Sequence, residues 1–231
     1  MVEKFLAVSL IGIGTFSIAN PVWALSITFS SSIPLTAADV SSNFTLPRFD
    51  PSLGTLTSVD LTFSSAASGN ARFENRSSRA ATVLVNLSAD SIVSFGSLAS
   101  VFGSDLTIIP SQSYTYSVAR YDGITDFSGA SGRTVNGLSA STVASLNNLT
   151  TNLADITGVT DFNLPFTGFQ NSSVTGSGNF DSQITTNISG DISITYNYDA
   201  APTPVPFDFE PSLGLSVLGG LFLGRKLIQK R

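Results

Sequence analysis

The chain of 231 residues contains no cysteine and no histidine, and its one methionine and one tryptophan, Met1 and Trp23, stand at its N-terminal end. From Leu25 to Val205 it therefore offers no thiol, imidazole, thioether or indole. A Ser-His-Asp or Cys-His nucleophile is excluded there, and zinc would lack its usual nitrogen and sulfur ligands. Disulfides are excluded as well, so the compartment has to be read from targeting signals. Lysine is missing between Lys4 and Lys226, and Leu25 to Val205 sets six arginines against thirteen carboxylates, a formal charge of −7. Nucleic acid is excluded as a partner, because phosphate binding needs a basic surface. Only carboxylate catalysis remains, and the twelve Asp and single Glu74 form no telling motif. The residues favour a non-enzyme without a cofactor, with an Asp-based glycan hydrolase as an alternative.

What is present is Ser, Thr, Asn and Gly interleaved with β-branched and aromatic residues, the composition of strands and turns. Alternation is clearest in SGDISITYNYD, where Ile188, Ile192, Ile194, Tyr196 and Tyr198 share one parity and Ser193, Thr195 and Asn197 the other. LSITFSS, TSVDLTFSS (Val59, Leu61 and Phe63 inward), ATVLVNLSADSIVSFG, DLTII, SYTYSVA and FNLPFTGF read likewise. Turn signals separate them at Ser68-Gly69-Asn70, Asn75 to Ser78, Pro110-Ser111, Asp122-Gly123 and Gly176 to Gly178. The expected fold is all-β, an antiparallel sandwich of jelly-roll-like kind. In SASTVASLNNLTTNLADITG, Val143, Leu146, Leu149, Leu153 and Ile156 recur every three or four residues, which predicts one or two helical turns, best placed over Asn152 to Ile156.

Both ends read as addresses. Lys4, an apolar run from Phe5 to Ile18, Asn20-Pro21 and then Val22-Trp23-Ala24 predict a signal helix over residues 1–24, cut between Ala24 and Leu25 by signal peptidase. A body over 25–199 and a proline-rich linker over 200–206 follow, and 207–231 is the tail. The tail opens on Phe207-Asp208-Phe209-Glu210-Pro211, continues as a short apolar helix from Leu213 to Leu223, and ends on Arg225, Lys226, Lys230 and Arg231. Eleven residues of helix rise only about 16 Å, short of the roughly 30 Å of a hydrocarbon core. Such a segment suits transient membrane contact, with its basic end held on the cytoplasmic side. The stretch from Pro206 to Arg231 resembles the PEP-CTERM class of sorting tails, in the PFE-like variant, although the literal Pro-Glu-Pro is absent. The resemblance implies an exosortase as partner, acting at Pro206, Phe207, Asp208, Phe209, Glu210 and Pro211.

LPRFDPSLGTLTSVDLTF, FENRSSRAATVLVNLSA, YDGITDFSGASG, GSGNF and ISGDISITYNYD together resemble the choice-of-anchor E domain, a secreted bacterial domain found with alternative sorting tails. The resemblance implies export and assigns no activity. Within the body, Asp122 and Asp126 flank Gly123 and suit either a hard cation such as Ca²⁺ or an Asx turn. Arg72, Arg76 and Arg79 crowd Glu74-Asn75 and suit acidic extracellular polysaccharide or a solvated turn with a local Arg-Glu pair. Tyr114, Tyr116, Tyr121, Tyr196 and Tyr198 read as core or sheet-face residues. FDPSLG at Phe49 predicts a proline-initiated turn feeding a strand over Thr57 to Ser65. The function expected is that of an exported, surface-sorted structural or adhesive protein of the extracellular polymer layer, with a carbohydrate- or calcium-binding module as the alternative.

Overall fold

Val59, Leu61 and Phe63 lie two residues apart and all are fully buried, as are Ile188, Ile192, Ile194 and Tyr196. Period two is the side-chain repeat of an extended chain, so these runs form strands with one face in the core. The computed structural model describes residues 24–201. The leader, the linker from Pro202 and the tail lie outside the described residues, with the expected signal helix, the motif from Pro206 to Pro211, the short apolar helix and the basic Arg225, Lys226, Lys230 and Arg231.

The strands in chain order are β1 (Ala24–Ala37), β2 (Val40–Pro47), β3 (Gly54–Asn75), β4 (Ala81–Val93), β5 (Leu106–Ile108), β6 (Ser111–Val118), β7 (Gly132–Leu149), β8 (Asp161–Gln170), β9 (Ser173–Gly176) and β10 (Phe180–Ala200). One helical turn, α1 (Ala99–Phe102), sits between β4 and β5. The first sheet has the order β1-β10-β3-β7. The second is β2-β8-β4-β5, with β6 and β9 also on β4. Residues 83–86 of β4 pair with β9 and residues 89–93 with β8, so β8 and β9 act as one interrupted strand, as β5 and β6 do on the opposite edge. All these pairings are antiparallel, and the order is that of a jelly roll.

The two sheets meet through an edge-to-face trio of Phe63, Phe44 and Phe166, with centroids 5.6–6.1 Å apart. Gly190 makes room for it, since a Cβ there would lie 3.0 Å from Phe44. Phe29, Phe49, Tyr196 and Tyr198 fill one end of the core, and Phe95 and Phe102 pack together elsewhere in it. A hydroxyl pair, Ser65 to Ser91 at 2.7 Å, crosses the core, and Ser65 Oγ also donates to the Ser189 carbonyl.

Three readings of the sequence need correction. Ser68-Gly69-Asn70 is no turn: it lies inside β3, paired with Asn187 to Thr185 of β10. A Cβ on Gly69 would lie 1.9 Å from the Thr185 carbonyl oxygen, so this glycine serves close backbone approach. The apolar spacing of Val143, Leu146 and Leu149 belongs to strand β7. A bulge opposite Val59 and Leu61, with Asn148 at φ 53°, puts Leu146 and Leu149 on one side three residues apart, which mimics a helical repeat. Val143 is 62% exposed on the other face. The helical turn itself is a 3₁₀ turn at Leu153–Ile156, preceded by a left-handed Asn152. Third, Glu74 makes no pair with the neighbouring arginines and is wholly buried.

Candidate functional site

The chain enters and leaves the fold side by side, since Ala24, the first residue of β1, pairs with Asp199 of β10. Beside them the FDPSLG segment forms the expected turn. Pro51–Leu53 is one 3₁₀ turn, proline supplies its fixed φ at the start, and Asp50 Oδ1 accepts the Ser52 N–H at 2.9 Å. The Leu53 carbonyl then accepts the Ala201 N–H at 3.0 Å, which ties the last described residue to this turn. The strand it feeds starts earlier than expected, at Gly54, and runs on to Asn75.

The Ser52 N–H also holds the Asp50 carboxyl below the usual carboxylate range. A depressed folded pKa means stability present above the unfolded value and lost as pH falls through the folded one. Asp50→Ala is thus expected to lower the melting temperature at neutral pH and to match the unaltered chain once the carboxyl is protonated. Melting curves at both pH values check this, and an equal loss at both would reject it.

Beside this turn is an apolar cleft of about 220 Å³ walled by Ile27, Phe29, Phe49, Leu53 and Val159, with Arg48 and Asp50 at its rim. The Arg48 guanidinium donates to Thr160 Oγ1 at 3.0 Å and the Asp161 carbonyl at 3.2 Å, and stands over the Phe162 ring. Its donors hold the 155–161 segment, so it offers little to an anion. At the same end the Tyr196 hydroxyl donates to the Pro47 carbonyl at 2.7 Å, and burial pushes its pKa upward.

The outward face of the first sheet carries hydroxyls in register. Thr28 stands opposite Thr195, Ser30 opposite Ser193, Ser193 opposite Thr62, and Thr62 opposite Ser145. Thr28 and Thr195 hydrogen-bond at 2.8 Å, Thr62 and Ser145 at 3.1 Å. A shallow depression of about 370 Å³ lies among Ser30, Ser32, Thr62, Asp191 and Ser193. Its lining residues include no aromatic ring on which a sugar would stack. Asp60 and Asp191 share this face, but their partners on the neighbouring strand, Thr195 and Ser64, place them four positions apart along the sheet. At about 3.3 Å per residue their backbones stand roughly 13 Å apart, wider than the roughly 5–9.5 Å of a glycosidase carboxylate pair. Asp60 is engaged structurally, accepting from Asn148 N–H at 2.6 Å and Asn197 Nδ2 at 2.9 Å. Sequence reasoning put Ser193 and Thr195 on the outward parity, but which hydroxyls of other strands stand beside them is set by the cross-strand register.

Asp122 and Asp126 lie in the loop between β6 and β7. Each closes a turn on itself: Asp122 Oδ1 accepts the Ile124 N–H at 3.0 Å, and Asp126 Oδ1 the Ser128 N–H at 2.9 Å. Among the described residues no three Asp, Glu, His or Cys side chains gather as a metal site would need. The loop packs on β3, where the Phe127 N–H donates to Glu74 Oε2 at 2.8 Å. Glu74 Oε1 and Ser131 Oγ are buried without a hydrogen-bond partner.

The three arginines separate. Arg72 donates to Gln183 Oε1 at 2.8 Å and covers the Phe127 ring at 4.7 Å, Arg76 pairs with Asp181 at 3.1 Å, and Arg79 is exposed. Asn75, wholly buried, organises the segment around them, donating to the Arg79 and Ala119 carbonyls and accepting the Ser77 N–H. Four tyrosines sit at core or sheet-face positions as read, Tyr196 buried and Tyr114, Tyr116 and Tyr198 half-buried; Tyr121 instead lies in the loop after β6, its hydroxyl 2.9 Å from Thr125 Oγ1.

No protein-family model matches the chain, and no curated protein does. Among solved structures it is similar to that of the infectious bursal disease virus Gx strain, at 13% identity over 84% of this chain and 42% of the other, with a TM-score of 0.16. The VP2 subviral particle of the same virus matches at 15% identity over 85% and 47%, with a TM-score of 0.17. The chain spans less than half the length of either, and likeness at this level carries no argument.

Proposed function

We propose that this chain is an exported bacterial structural or adhesive protein of the extracellular polymer layer, whose tail is handed to an exosortase. The observation that carries the reading is the order of parts in the sequence: leader, β body, proline-rich linker, Glu210-Pro211 behind Phe207-Asp208-Phe209, an apolar run and a basic end. The resemblances to the choice-of-anchor E domain and to PEP-CTERM tails point the same way. Support also comes from β10, which lies between β1 and β3 inside its sheet and is followed at once by Ala201, tied to the Leu53 carbonyl of the Pro51 turn. A cut beyond Pro206 would leave all ten described strands in the chain.

The test is to follow the chain with and without Pro206 to Arg231 in an exosortase-bearing bacterial host. Expected is an exported form whose intact mass lacks both leader and tail. The deletion should stay unsorted; unchanged size and location would reject the sorting role.

A second reading, binding of polysaccharide, is favoured by the hydroxyl rows around Ser30, Thr62 and Ser193 and by the neighbouring Asp191. Pull-down on extracellular polysaccharide with and without EDTA separates it from an inert scaffold and shows whether calcium takes part.

A further inference from the structure

Among the described residues the free edge of β7 is regular and uncharged over Leu138 to Leu146. From Leu138 to Leu146 the strand pairs residue by residue with Gly69 to Leu61 of β3, without a register shift. Over those residues it has no charged side chain and no proline. Among the described residues no strand pairs with its other edge. The other edges carry guards at single points, although Ala24 to Ile33 of β1 and Ser111 to Val118 of β6 are themselves regular and uncharged. β1 carries Pro34 inside a register shift between Ile33 and Thr36, β2 ends on Pro47 with its Thr45 N–H donating to Ser31 Oγ, and the β5–β6 edge is broken at Pro110. Proline, bulges and interruption are the devices by which sheets avoid edge pairing, and β7 uses none of them between Leu138 and Leu146.

One contact shows which backbone groups face outward. The Tyr114 hydroxyl accepts the Ser139 N–H and donates to the Ser139 carbonyl. Both groups of Ser139 therefore point away from β3. In an antiparallel ladder this direction alternates with each residue, so the N–H and C=O groups of Ser141, Val143 and Ser145 also point to the open edge. Tyrosine caps the first residue of this row and leaves the next three.

We propose that β7 pairs with β7 of a second copy of this chain, antiparallel about a two-fold axis at Val143, joining two four-stranded sheets into one. Sequence symmetry about that residue fits the pairing. Val143 meets Val143 and Ser141 meets Ser145, and the three N–H and three C=O groups of one edge all find partners on the other. Val143, 62% exposed, gains an apolar neighbour. Charge favours this edge as well. The body carries net negative charge, so two copies repel generally, and this segment brings no carboxylate to the contact. The inference stands apart from the export reading, since it concerns only the folded body.

Sedimentation of the full chain is expected to show a concentration-dependent dimer. Ser141→Pro removes an outward N–H that no intramolecular bond uses, and Val143→Lys sets two like charges opposite each other. Both should sediment as monomer with unchanged circular dichroism, and the lysine variant keeps the test alive if the proline variant does not fold.

Because the chain lacks cysteine, a single Val143→Cys should oxidise to a cross-linked dimer across the axis, whereas Val159→Cys, 84% exposed elsewhere, should not. This arm separates edge pairing from association through apolar ends. A chain that stays monomeric, dimers unaffected by both substitutions, or equal cross-linking at both cysteines would overturn the pairing.

Discussion

Phe63→Ala is expected to cost about 3–5 kcal/mol of folding stability, read as a lowered midpoint in urea unfolding. The ring is wholly buried on the central strand β3 and touches Phe44 and Phe166 across the sheet interface edge to face. Its removal loses the transfer energy of a whole ring and two aromatic contacts of about 0.5–1.5 kcal/mol each. It also leaves a cavity that two sheets, each tied by long ladders, cannot close. A domain of this size is stable by roughly 5–15 kcal/mol, so the loss takes about a fifth of the total or more. Phe63→Leu should lose markedly less, because most of the volume stays. A cost near 1 kcal/mol for the alanine variant would mean that the trio is not the centre of the core.

Gly69→Ala should be nearly as damaging, at about 3 kcal/mol, although it adds only a methyl group. The added carbon would lie 1.9 Å from the Thr185 carbonyl oxygen and 3.2 Å from Leu87 Cδ1, so β3 and β10 must part in the middle of their ladder. Gly96→Ala is the matched control. It has φ 51° and nothing within 4 Å, so only backbone strain of about 1–2 kcal/mol applies. Comparing the two unfolding midpoints tests the strand assignment of Ser68-Gly69-Asn70 directly. If that triplet were an exposed turn, Gly69 would behave no worse than Gly96.

That triplet also shows where local reading stops. Ser-Gly-Asn is turn vocabulary, and nothing in the neighbouring residues says that Thr185, more than a hundred positions away, will press against the glycine. Leu146 and Leu149 mislead for a related reason. Their spacing of three is helical in a straight chain and equally that of a strand with one bulged residue, and at this bulge Asp60 accepts the N–H of the left-handed Asn148. By contrast, Val59 to Phe63 and Ile188 to Tyr196 were legible, because each side chain's face follows from its own strand parity. The Pro51 turn was legible too, since proline and Asp50 act within three residues.

The candidate surfaces divide in the same way. The absence of His and Cys, the motif from Pro206 to Pro211 and the basic end are matters of composition and order, complete in the chain itself. Asp122 and Asp126 suited a turn or a cation in the sequence, and the N–H groups of Ile124 and Ser128 engage them as turns. Arg72, Arg76 and Arg79 looked like one patch because they are close in sequence. They part because Gln183, Phe127 and Asp181 come from distant segments.

The sequence by itself determined the all-β class, the inward parity of the strongest strands, the excluded chemistries and the order of an apolar N-terminal run, a β body and an apolar run with a basic end, since each depends on composition or on neighbours along the chain. Tertiary structure alone decided which strands adjoin, that Glu74 is buried, that hydroxyl rows align across four strands, and that β7 keeps an edge open among the described residues. Those depend on partners many tens of residues apart, and a pattern of period two names the face a residue takes without naming the strand beside it.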